Sequence, residues 1–120
     1  MDPKRILIVC RKPPYGNSLA REAIDIALAT SVFQQTLAVL FLGDGIWQLA
    51  PEQDSSAIKT KNHGKQLSAL PLYDIHDIYV DSDALEVRQL SLDSLIVPVK
   101  PLQAQEIGLF INSFDNVLSF

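Results

Sequence analysis

Ile6-Leu7-Ile8-Val9-Cys10 is an unbroken apolar run between the charged pairs Lys4-Arg5 and Arg11-Lys12. A strand with one wet face alternates polar and apolar side chains, whereas a strand covered on both faces, as in a parallel sheet, reads as continuous hydrophobicity. The run is therefore expected to be a doubly buried strand, and the segments around it must supply two covering layers. From Arg11 to Asn17, the residues Pro13, Pro14 and Gly16 stop regular structure and shape a loop. Asn17 or Ser18 can cap the helix that follows. From Leu19 to Phe33, Ala20, Ala23, Ile24, Ala27, Leu28 and Ser31 recur at helical steps, and the small residues let such a helix sit close to a sheet.

The same grammar continues along the chain. Thr36 to Leu42 (TLAVLFL) repeats the buried-strand signature, and Gly43-Asp44-Gly45 closes it with a turn. Ile46 to Leu49 begins a short helix that stops before Pro51. Gln53 to Asn62 is polar and weakly patterned, a loop with some helix near Ser55 to Lys59. Gly64 to Leu70 reads as another short helix ended by Pro71. Ile75 to Val80 is a third strand, after which Ser82 or Asp83 caps a helix reaching Arg88. Ile96 to Val99 is a short fourth strand whose Pro98 suits an edge. Gln103 to Ser113 is a helix with Ile107, Phe110 and Ile111 inward, and Val117 to Phe120 a last strand. Strands alternating with helices imply βαβ units, hence an α/β three-layer sandwich around a parallel sheet, formed by residues 1–120 as a single domain.

Composition narrows the class. The chain has 120 residues, 48% of them hydrophobic, with 10 Lys+Arg against 14 Asp+Glu, a net charge of −4. This length suits one domain, which buries about two thirds of its unfolded surface and needs no staples. The one Cys excludes an internal disulfide and fits a reducing, cytoplasmic compartment. No apolar run approaches the roughly 18 residues of a membrane helix, and Ile6 to Cys10 is too short for a signal peptide. The acidic balance argues against direct nucleic-acid binding, which draws on clustered Lys and Arg. The basic groups Lys4-Arg5, Arg11-Lys12 and Lys59-Lys61-Lys65 read as solvated faces, with a weak basic rim for docking a partner as the alternative.

Ligands of open α/β sheets bind outside the carboxyl ends of the strands, which directs attention to Cys10 to Asn17, Gly43 to Trp47, Asp81 to Asp83, and Lys100. Cys10, with Arg11 and Lys12 beside it, is a weak candidate nucleophile; the competing reading is a small buried residue finishing a core strand. Gly43-Asp44-Gly45 lacks phosphate-loop spacing, and His63, His76 and Cys10 lack recurrent metal-ligand spacing. Neither a catalytic dyad nor a nucleophile elbow is present. Among the aromatics, Phe33 and Phe41 are expected in the core. Tyr15, Trp47 and Tyr73 are candidates for a subunit interface, as is Phe120 unless the last strand buries it.

Several segments together resemble the DsrF/TusC branch of the DsrE/F/H-like sulfur-relay proteins. They are Arg11-Lys12-Pro13-Pro14-Tyr15-Gly16, Ala20-Arg21-Glu22-Ala23, Val39 to Leu49 (VLFLGDGIWQL) with Pro51 and Gln53, Leu72-Tyr73-Asp74-Ile75, and Phe114-Asp115-Asn116-Val117-Leu118-Ser119-Phe120. The resemblance runs over nearly the whole chain in consistent order. It implies a five-stranded parallel sheet and a noncatalytic subunit, assembled with TusB-like and TusD-like homologues into a heterohexamer of two trimers. Such a complex takes persulfide sulfur from a TusA-like donor and passes it through a TusE-like acceptor toward 2-thiouridine at the tRNA wobble position. The related DsrE, DsrF and DsrH complex serves dissimilatory sulfur oxidation. The family's sulfur-carrying cysteine belongs to the TusD/DsrE-like subunit, after the second strand. The comparable stretch here, roughly Ala57 to Leu70, has no Cys, and Cys10 does not match that position. No catalytic residue, cofactor or metal carries over. Two other classes stand beside this one: a self-sufficient thiol sulfurtransferase using Cys10, and a small-molecule binding or regulatory domain using the carboxyl-edge loops.

Overall fold

The computed structural model describes residues 4–14, 18–32, 36–51 and 65–120. Five strands, β1 (Arg5–Cys10), β2 (Thr36–Phe41), β3 (Ile78–Asp81), β4 (Lys100–Leu102) and β5 (Asn116–Ser119), form one all-parallel sheet in the order β4-β3-β2-β1-β5. Among the described residues, α1 (Leu19–Ser31), α2 (Ser82–Val87) and α3 (Ala104–Asn112), a helical stretch at residues 65–68, and 3-10 turns at Gly43–Leu49, Leu70–Tyr73 and Leu92–Ser94 connect them.

The strand order explains the layers. Passing from β1 to β4 the chain steps in one direction across the sheet, and from β4 to β5 it jumps back past β1. Right-handed crossovers then put the early connections on one face and the last on the other. Ile8, Cys10, Val39, Phe41, Ile78 and Val80 accordingly pack with Ala23, Ile24 and Ala27 of α1 and with Ile46, Leu49, Leu67, Leu70, Ala84 and Leu85. On the opposite face Leu7, Val9, Ala38, Leu40 and Leu102 meet Ile107, Phe110, Ile111 and Phe114 of α3 and its exit. The Phe110 ring lies 4.4 Å from Tyr79 and 5.1 Å from Phe114. The continuous hydrophobicity of residues 6–10 thus reflects burial on both sides, as expected.

Several expectations shift. Ser18 occupies the cap position of α1 without capping it; its hydroxyl donates to Glu22 Oε1 at 3.2 Å instead. The cap of α2 is Asp81, one residue earlier than expected, accepting from the Asp83 amide at 3.0 Å. The helix expected up to Leu70 is present at residues 65–68 and stops before Pro71, which stands in the first turn of a following 3-10 turn, where no N–H is needed. That turn closes through Asp74 in the left-handed region (φ 62°), and Ile75 donates back to Leu70 O at 3.0 Å, so β3 starts at Ile78 and not at Ile75. The fourth strand is not Ile96 to Val99. The Ile96 amide is committed to Leu49 O at 3.0 Å and Pro98 has no amide to give, so the ladder begins at Lys100. Pro101 is tolerated because β4 is an edge. Helix α3 begins at Ala104 behind a reciprocal cap in which Gln103 and Glu106 satisfy each other's main-chain amides. The segment Gln53 to Asn62, Phe33 and His63 lie outside the described residues.

Candidate functional site

The carboxyl edge of the sheet is built around the end of β1. Its last carbonyl, Cys10 O, accepts from the Leu42 amide at 3.0 Å, which ties the exit of β1 to the exit of β2. The 3-10 turn then folds back against the same carbonyl. Gly43 enters it at φ +51°, and Gly45 packs so tightly that a Cβ there would overlap Cys10 O. Two residues further along the chain from Gly45 stands Trp47, half-buried between the buried Ile46 and Gln48. Gln48 is 3% exposed and its Nε2 donates to Lys12 O at 2.8 Å, fixing the loop that leaves β1. On the other side, Phe120 donates to Val9 O at 2.9 Å and accepts from the Arg11 amide at 2.8 Å, while Arg11 Nε donates to Ser119 Oγ at 3.0 Å.

Cys10 itself faces the core. It is 1% exposed, and burial pushes its thiol up to about 12. The neighbouring Arg11 and Lys12 are exposed and do not offset that desolvation. A thiol that stays protonated and sealed has neither the thiolate character nor the access that sulfur transfer needs. The described geometry gives the core-strand reading of Cys10.

Other candidates divide between the two edges. Asp44 accepts from Arg88 Nη2 at 2.8 Å, joining the 3-10 turn to the end of α2, and Asp81 is used as a helix cap. Lys100 starts β4 and therefore sits at the amino edge, not at the carboxyl edge where the sequence reading put it; there it pairs with Asp77 at 3.0 Å. The Asp77 carboxylate raises the Lys100 ammonium above its ordinary range. Tyr73, exposed, precedes β3 and belongs to the amino edge as well, away from Trp47. Phe120 is half-buried and packed on the core, and Tyr15 lies outside the described residues. His76 is exposed and lies before β3, not within it. Among the described residues no three of His, Cys, Asp and Glu converge as metal ligands would, and no helix is long and apolar enough to cross a membrane. The sequence reading missed Gln48 and Arg88, the two side chains that organise this edge. A polar residue interrupting the apolar run Ile46-Trp47-Gln48-Leu49 was the available signal for Gln48.

These features define a class: a small all-parallel α/β sandwich whose strand exits are knit together and whose one thiol is closed inside the sheet. The chain belongs to the DsrE/DsrF-like family, whose model matches residues 4–120. It is 36% identical over 114 residues to a TusC homologue of Pseudomonas aeruginosa, spanning 95% of this chain and 96% of that protein. It is also 36% identical over 116 residues to the intracellular sulfur oxidation protein DsrF of Allochromatium vinosum, spanning 96% of this chain and 81% of that protein. A TusC homologue of Vibrio parahaemolyticus is 32% identical over 110 residues. The fold matches the crystal structure of the ychN protein from E. coli with a TM-score of 0.77 at 20% identity, covering 98% of this chain and 99% of that one.

Proposed function

We propose that this chain is the noncatalytic TusC/DsrF-like subunit of a cytoplasmic sulfurtransferase complex for 2-thiolation of the tRNA wobble uridine. It assembles with TusB-like and TusD-like subunits into a heterohexamer, which receives sulfur from a TusA-like donor and delivers it to a TusE-like acceptor. The observation that carries this reading is the end-to-end match to TusC homologues in a chain whose own thiol is sealed. A subunit with no accessible sulfur acceptor of its own supports a carrier held elsewhere in the assembly. The DsrF relative favours a second reading, sulfur oxidation, at the same identity. The recurrence of TusC homologues among the relatives, from Pseudomonas aeruginosa and Vibrio parahaemolyticus, weighs toward the first.

Deleting the gene in its native cells and measuring wobble 2-thiouridine in digested tRNA by mass spectrometry tests the proposal. The modification is expected to disappear and to return with either the wild-type chain or Cys10→Ser. Unchanged thiouridine after deletion would overturn the tRNA reading, and impaired sulfur oxidation alongside it would install the second. Failure of Cys10→Ser to restore thiolation while still assembling would revive a self-sufficient thiol.

A further inference from the structure

We draw no further inference here: the strongest candidate, the outer edge of β5 where Val117 and Leu118 are each 41% exposed, is an unpartnered apolar margin of the sheet, and nothing in the structure shows what covers it.

Discussion

Gly45 abuts the carbonyl of Cys10. An added Cβ would overlap that oxygen, lie 2.7 Å from its carbon and 3.2 Å from the Arg11 nitrogen, and every one of these neighbours is main chain. The approach is what lets the turn after β2 close over the exit of β1, and it is possible only without a side chain. Gly45→Ala is therefore expected to lose about 3 kcal/mol of stability, since neither backbone can yield. Gly43→Ala, where the space is open but φ is +51°, should lose about 1 kcal/mol from the left-handed conformation alone. Chemical denaturation of the two variants ranks them; a larger loss at Gly43 would show that the turn is held by conformation and not by contact.

The buried thiol predicts a pH dependence. Burial raises Cys10 from 9.0 to about 12, so below about pH 9 both folded and unfolded chains keep the proton and stability is unaffected. Above that, the unfolded chain releases a proton that the folded chain retains, and stability falls by about 1.4 kcal/mol per pH unit until about pH 12. Urea midpoints at pH 8 and 10 for the wild type and Cys10→Ala isolate the thiol's share, because the slope difference between them is its contribution. Alkylation of the native chain by iodoacetamide at pH 8 should be slow and should accelerate with denaturant. Rapid alkylation without denaturant would show an open thiol.

Arg88 and Asp44 form a contact between the 3-10 turn and α2 whose two ends differ: the Arg88 side chain is 18% exposed and that of Asp44 is 62% exposed. Solvent at the Asp44 end limits the pair to about 1 kcal/mol or less. Arg88 Nε is buried with no partner among the described residues, so Arg88→Met retains the packing of the stem and removes an unpaired donor. We expect Arg88→Met and Asp44→Asn each to cost no more than about 1 kcal/mol, and the double variant to cost less than their sum. Thermal melts of the four proteins give the coupling, and strict additivity would mean that the ion pair contributes nothing.

Trp47 is half-buried between two buried neighbours, and we propose its exposed part as a contact for a partner subunit. Trp47→Asp is expected to break assembly of co-expressed subunits on size exclusion while the isolated chain keeps its helix content by circular dichroism. Unfolding of the isolated chain would instead place the indole in the core, as an introduced buried charge would require. An intact complex with normal helix content would remove Trp47 from the interface.

The sequence alone determined the layered α/β sandwich, because short unbroken apolar runs bounded by charged and turn residues, alternating with helical periodicity, mark strands buried on both faces. Residues 6–10 and 37–42 are apolar without alternation, and Ala20, Ala23 and Ala27 around Ile24 in the helix after β1 are small enough for close packing on a sheet. It also determined that Cys10 is the one cysteine and that Ala57 to Leu70 holds none, since that is a matter of residue identity. Tertiary structure decided the rest, wherever a main-chain group had two possible partners. The Ile96 amide could have joined a ladder but went to Leu49, moving β4 to Lys100 and carrying that lysine to the opposite edge of the sheet. Trp47 and Tyr73, both aromatics beside loops in the sequence, belong to different turns of the fold, one in the 3-10 turn after β2 and the other in the 3-10 turn that precedes β3. Gln48 looks like any polar residue in a short helix until the fold lays the loop after β1 across it, and the hydrogen bond to Lys12 forms between residues 36 positions apart. Such a contact leaves no periodicity in the sequence, because it depends on which strand exits the fold brings together and on nothing local to either residue.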